Sequence, residues 1–374
     1  MTTLLNRRQW LKAAGATLAA TALAPRLPLQ AATLPAAPAP AANPGPVQLA
    51  WNENPFGPAP SAQQAMIAAV GRSCRYPHNH GQTLLELIAA REGCAVSQIV
   101  LGNGSGEILD AAGFHFGYEK GEIVAADPSY MQLVNAAEKA GGRAVRVPLN
   151  ARLEHDLPAM AAAVGAKTSL VYLVNPNNPT GTVCDAAELE EFIRTVSARV
   201  PVFIDEAYLE CTDDFAGRTC VGLVTAGHHV VVARTFSKIF GMAGCRLGYA
   251  VLPEKLAGSL RARMTGSLSL TTIVAGIASL RDTGYVTATR AKIKAGREAL
   301  AGEAKALGKR CTAAQGNFVF METGMPAKEF SAKMLAEGVM VGRPFPPLLN
   351  WARITIGLPS EMAACHRALR KVLG

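Results

Sequence analysis

Residues 230–249 read V-V-V-A-R-T-F-S-K-I-F-G-M-A-G-C-R-L-G-Y. An apolar strand over 230–233 delivers a single lysine, Lys238, into a turn of small residues, and Arg246 follows shortly after. Taken alone, the pair is compatible with two solvated surface charges, the ordinary fate of lysine and arginine. What stands at the ends of the neighbouring strands decides between that and a site.

Working outward, short apolar runs alternate with helical patterns. The spacing predicts strands over 99–101, 122–126, 169–175, 202–205 and 230–233, with helices over 107–116, 130–140 and 186–199. Strands apolar on both faces and separated by helices imply an α/β fold, a mostly parallel sheet sandwiched by helices. Ligands of such sheets bind beyond the carboxyl ends of the strands. There the chain reads G-N-G-S-G-E, N-P-N-N-P-T-G, D-E-A-Y and R-T-F-S-K in turn. Upstream, helices over 61–70 and 83–91 flank R-Y-P-H-N-H-G, and W-N-E-N-P-F-G-P before them is turn chemistry in which Asn54 either caps a turn or meets a ligand. Beyond Pro253 the pattern predicts helices over 255–264 and 287–307 and strands over 317–321 and 353–356. The expected organisation is a large domain over 76–252 and a smaller α+β domain formed by 47–75 and 253–374.

A chain of 374 residues that is 49% hydrophobic and 17% charged can bury a large core. Its net charge of +9 is dispersed, so no nucleic-acid footprint is indicated. The first 32 residues combine Arg7-Arg8, the short apolar stretch 13–24 and Pro25, followed over 33–46 by a Pro/Ala-rich linker. This is the pattern of a twin-arginine signal peptide, cleaved near Ala31 or Ala32, and it predicts passage through the twin-arginine export machinery to a periplasmic or otherwise exported location. The apolar stretch is too short for a spanning helix. The eight cysteines show no metal-type spacing and read as free thiols, with later pairing of Cys211 and Cys220 left open. His78 and His80 lack Cys or carboxylate company, so no metal is expected.

The strand ends carry the chemistry. Gly104, Ser105 and Gly106 open a helix and offer amides and a positive dipole end to a phosphate, with Ser237 and Arg246 adding a hydroxyl and a guanidinium. Asp205 closes a wholly apolar strand, where a bare carboxylate is costly unless paired; it either caps the next helix or protonates a ring nitrogen. Tyr208 and Asn178 can reach one oxygen from adjacent loops. Lys238, near those charges, suits an amine with a depressed pKa that tethers an aldehyde and moves a proton.

N-P-N-N-P-T-G, D-E-A-Y, T-F-S-K-x-F-G-M-A-G-x-R-L-G-Y and R-I-T-I-G, in this order, resemble the class I/II (fold-type I) aminotransferases that use pyridoxal 5'-phosphate. N-E-N-P-x-G-P and R-Y-P near the start are similar to the histidinol-phosphate aminotransferase branch, and the resemblance spans roughly 47–370. It implies Lys238 as the lysine bonded to the cofactor, Asp205 at the pyridine nitrogen, and Asn178 and Tyr208 on the ring oxygen. Tyr130 would stack on the ring; Ser105, Ser237 and Arg246 would hold the phosphate, and Tyr76 would reach in from the partner of a homodimer. Arg353 would grip the substrate carboxylate, Arg343 its distal group, and Asn317 would lie near the carboxylate site.

Two departures stand out. Gly106 occupies a position where the branch commonly has Asp, and the stretch 267–275 lacks the branch's polar, Asn-containing version, which bears on the substrate pocket. The implied reaction moves an amino group between an L-amino acid and a 2-oxo acid. An export signal fits poorly with cytoplasmic histidine biosynthesis. The same cofactor also serves decarboxylases and lyases, and the fold is borrowed by non-catalytic regulators, which the retained Lys238 and the export signal disfavour.

Overall fold

The computed structural model describes residues 45–77 and 79–374. The expected signal and most of the linker, like His78, lie outside the described residues. Residues 45–374 form one compact unit. In chain order the strands are β1 (Val47–Leu49), β2 (Ile99–Gly102), β3 (Glu122–Asp127), β4 (Arg143–Pro148), β5 (Thr168–Val174), β6 (Val202–Asp205), β7 (Val230–Thr235), β8 (Gly248–Val251), β9 (Phe318–Glu322), β10 (Val339–Val341) and β11 (Trp351–Thr355).

Strands β2 to β8 make one seven-stranded sheet in the order β2-β8-β7-β6-β5-β3-β4, parallel except for β8, which runs against both its neighbours. Every strand residue of β6, β7 and β8 is buried, which explains their unbroken apolar runs. Alternate residues go to opposite cores: Val171, Val202 and Val230 to one, Leu170, Phe203 and Val231 to the other. At about 1.5–3 kcal/mol for each large apolar side chain buried, these two cores dominate the fold's stability. A third core joins β9 and β11, which pair antiparallel, to the parallel pair β1 and β10.

The strand ends expected from sequence stand at one edge of the large sheet. Two of its strands have no counterpart in the spacing. β4 is an edge strand with Arg143, Arg146 and Pro148 exposed, so it lacks an apolar run, and β8 is only four residues long and follows directly on the turn that carries Arg246. The departure at 267–275 belongs to the start of a helix, Leu270–Arg281, capped by Ser269, whose Oγ accepts from the Thr272 N–H at 3.1 Å; it does not line the pocket of this chain. All eight cysteines are free, with Cys211 and Cys220 buried separately as thiols. Among the described residues no helix is long and apolar enough to cross a membrane, and no group of His, Cys, Asp or Glu is placed to hold a metal ion.

Candidate active site

Asp205 ends β6 in register with Val174 of β5 and Ala233 of β7. Beyond these ends lies a cavity of about 440 Å³ lined by Lys238, Asp205, Tyr208, Asn178, Arg246 and Arg353, with Trp51 and Asn52 opposite. The strand-end residues converge because parallel strands all point their carboxyl ends the same way, while Arg353 comes from β11 and Trp51 and Asn52 from the loop after β1.

Asp205 is 2% exposed and accepts a 3.1 Å bond from the Ala207 N–H. Burial pushes its carboxyl up from 3.8 to about 7, against the opposing pull of that bond and of Lys238. Its ionised form therefore lacks adequate support from the protein and favours a cationic N–H donor. Lys238 shows the complementary shift: burial, then the Arg353 charge, lowers its ammonium from 10.5 to about 8. Its Nζ donates to the Asn52 carbonyl at 3.0 Å and lies 5.3 Å from the centre of the Tyr208 ring. The amine form is accessible near neutral pH, the state an attacking or proton-accepting lysine needs.

The Tyr208 oxygen accepts from Asn52 Nδ2 at 3.0 Å and, more weakly, from Asn178 Nδ2 at 3.4 Å. Burial holds its phenol up at about 12, so it stays protonated, and with both lone pairs engaged its O–H is directed to another acceptor. Ser105 begins the helix Ser105–Gly117, whose N-cap Gly104 has φ 76°. Only glycine is comfortable there, and a Cβ would lie 2.3 Å from Arg246 Nη2. Arg246 rests on this bare backbone, donating to Ser237 Oγ at 3.4 Å and to the carbonyls of Asn103 and Ala243 at 3.3 and 3.1 Å. A guanidinium, a hydroxyl and a helix N-terminus, without a carboxylate against the arginine among the described residues, form a dianion cradle.

Arg353, on β11, is 8% exposed. Its Nη1 donates to Asn178 Oδ1 at 2.5 Å and its Nη2 to the Ala50 carbonyl at 2.7 Å, while Nε has no hydrogen-bond partner. Burial lowers it to about 10. A buried guanidinium without a carboxylate is expensive in isolation; a substrate carboxylate supplies the missing charge. Arg343 lines the mouth, its guanidinium 4.6 Å over the Phe345 ring.

Besides Gly104, the N-cap beneath Arg246, three expected site residues lie outside the pocket lining. Asn54 donates its amide to the Ile239 carbonyl at 2.9 Å and so braces the loop beside Lys238. Asn317 donates to the carbonyls of Asn52 and Glu53 at 2.9 and 3.1 Å and likewise braces that loop. Tyr76 is 83% exposed. Tyr130 lines the pocket and donates to Gln132 at 2.7 Å.

Sequence reasoning missed Asn52, the hub of the site. It sits at φ 54° with 1% exposure, its backbone N–H donating to Thr355 Oγ1 at 2.9 Å while its carbonyl receives Lys238 and its amide serves Tyr208. The signal lies in W-N-E-N-P, a turn that carries two asparagines. Also missed was Arg234, fully buried on β7 and salt-bridged to Glu206 at 2.9 Å, with Glu92 at 3.5 Å and Glu210 at 3.6 Å. It neutralises the carboxylate next to Asp205 and ties β7 to β6 behind the pocket.

One consequence is measurable in the cofactor-free chain. Between its ordinary 3.8 and about 7, folded Asp205 holds a proton that the unfolded chain has released. Its contribution to stability is therefore greatest at low pH and falls as pH rises through that window. Asp205→Asn is expected to flatten the fall in melting temperature between pH 4 and 7; an unchanged slope would mean that Asp205 titrates normally.

Comparison with known proteins agrees with this geometry. The family model for aminotransferase class I and II matches residues 44–371. Histidinol-phosphate aminotransferase of Moorella thermoacetica is 37% identical over 331 residues, 87% of this chain and 85% of that protein. Histidinol-phosphate aminotransferase 1 of Cupriavidus pinatubonensis is 38% identical over 335 residues, 88% of this chain and 89% of that protein. The crystal structure of histidinol-phosphate aminotransferase from Sinorhizobium meliloti in complex with pyridoxal-5'-phosphate superposes with a TM-score of 0.80 at 28% identity, covering 87% of this chain and 90% of that one. The chain belongs to the class I and II aminotransferases, enzymes that work with pyridoxal 5'-phosphate, and within them to the histidinol-phosphate aminotransferase branch.

Proposed function

We propose that this aminotransferase acts outside the cytoplasm, as a homodimer, on an amino acid whose carboxylate is held by Arg353. The observation that carries the site assignment is the joint presence in one cavity of a buried, cation-seeking Asp205, a Lys238 lowered to about 8 and a buried Arg353 without a carboxylate partner among the described residues. The residues present fit the cofactor: Arg246, Ser237 and the Ser105 amide would hold its phosphate, Asp205 its ring nitrogen, Tyr208 and Asn178 its ring oxygen. When bound, pyridoxal 5'-phosphate supplies an aldehyde carbon and an electron-withdrawing ring.

The protein's own part follows from the geometry. Asp205 would keep a proton on the ring nitrogen, Tyr208 would donate to the ring oxygen, and Arg353 would orient the substrate so that Lys238 Nζ could take the proton from Cα. Arg343, at the mouth beside Phe345, would meet the substrate's distal end. The large exposure of Tyr76 supports its reaching the phosphate of a neighbouring subunit. The paired Arg7-Arg8 and the apolar stretch after them support twin-arginine export of the folded enzyme, which argues against histidinol phosphate as the substrate.

A panel of amino donors offered to the purified enzyme with pyridoxal 5'-phosphate and a 2-oxo acid tests the reaction. Stoichiometric exchange of amino acid for 2-oxo acid is expected; release of CO2 or ammonia in its place would overturn it. Substituting Lys for both Arg7 and Arg8 in the full chain tests the route. Retention in the cytoplasm is expected, and undiminished export would refute the twin-arginine assignment.

A further inference from the structure

Gln132 lines the pocket between the Tyr130 phenol and the phosphate cradle. Its Oε1 accepts from the Tyr130 O–H at 2.7 Å, and its Nε2 donates to the Gly106 carbonyl and to Asp110 Oδ2, both at 3.0 Å. The carbonyl and the carboxylate can only accept from this amide, so its nitrogen must face them and its oxygen must face Tyr130. The Tyr130 hydroxyl is thereby committed to Gln132, and the ring face is what it offers the pocket.

Two features of the backbone make this bridge possible. The helix Ser105–Gly117 and the helix Gln132–Lys139 approach so closely that a Cβ on Gly113 would lie 2.4 Å from the Leu133 carbonyl oxygen. At residue 106 a Cβ would stand 3.0 Å from Gln132 Nε2, so glycine there leaves the amide its room.

We infer that Gln132 is a positioning residue that fixes the Tyr130 ring over the cofactor plane by tying its hydroxyl to the first turns of the phosphate-binding helix, and that Gly106 provides the space for it. This rests on the cofactor assignment proposed for the pocket. Tyr130 stands on a loop and is 39% exposed. Packing alone leaves such a ring several rotamers, and one strong hydrogen bond selects among them. Ring position and phosphate cradle then move as one unit.

The test is a double-mutant cycle on cofactor affinity. The cofactor-free wild type, Gln132→Ala, Tyr130→Phe and the double variant are titrated with pyridoxal 5'-phosphate, following visible absorbance and circular dichroism. Each single change is expected to weaken binding about five- to tenfold, and the double change no more than the worse single one. The visible circular dichroism of the bound cofactor should fall in Gln132→Ala, while the melting temperature of the cofactor-free chain stays unchanged. Gly106→Ala, which displaces the amide without removing it, is expected to shift affinity in the same direction and covers the case in which Gln132→Ala folds poorly. Additive losses, or unaltered affinity in Gln132→Ala, would overturn the inference. A wild type that binds no pyridoxal 5'-phosphate would instead bring down the cofactor assignment itself.

Discussion

Lys238→Ala is expected to lower turnover by on the order of 10⁴-fold or more and to abolish covalent capture of the cofactor. Among the described residues Lys238 is the one lysine of the pocket lining, so none of them offers a second amine to replace it. Its Nζ is aimed by the Asn52 carbonyl and lowered to about 8 by burial and Arg353, and alanine removes tether and proton acceptor together. Borohydride reduction of the loaded enzyme followed by peptide mapping should find the label on Lys238 in the wild type and nowhere in the variant. Label on another lysine, or turnover within tenfold of wild type, would refute the assignment.

Arg353→Lys is expected to lower kcat/KM by roughly 10²–10³-fold, the cost of disrupting a buried, charge-assisted clamp. The conservative charge does not help, because the guanidinium does several jobs at once. Nη1 holds Asn178, Nη2 holds the Ala50 carbonyl, and Nε is left over in the pocket. An ammonium offers a point charge without that planar fork. Steady-state kinetics on the best donor checks this, with the loss expected largely in KM. A change of less than threefold would mean that the carboxylate binds elsewhere. Since Arg353 also lowers Lys238, Arg353→Ala should move the acidic limb of the pH profile, on which Lys238 must lose its proton, to higher pH, a shift that loss of substrate grip alone does not produce.

The strand ends were legible because each is a local pattern: an apolar run that stops at a polar, Gly- or Pro-rich turn. Asp205 after V-F-I, and Lys238 after V-V-V-A-R-T-F-S, announce themselves through the contrast between a buried strand and a charge at its end. Asn54 shows the limit. One turn contains two asparagines, and nothing local says that Asn52 faces the pocket whereas Asn54 bonds the Ile239 carbonyl. Likewise β4 hid because this edge strand exposes Arg143, Arg146 and Pro148 and lacks the apolar run that marked its neighbours.

By itself, then, the sequence determined the α/β class, the family and the polar strand-end residues that line the pocket, since parallel strands place their carboxyl ends together whatever their spacing along the chain. The tertiary structure decided the partners of Asn52, Gln132, Asn317 and Arg234. Amide and guanidinium side chains act through partners, and the partner of the Asn52 backbone N–H is Thr355, 303 residues away. Short-range pattern has no access to such pairs, because only the packing of β11 against the loop after β1 brings them within hydrogen-bond distance.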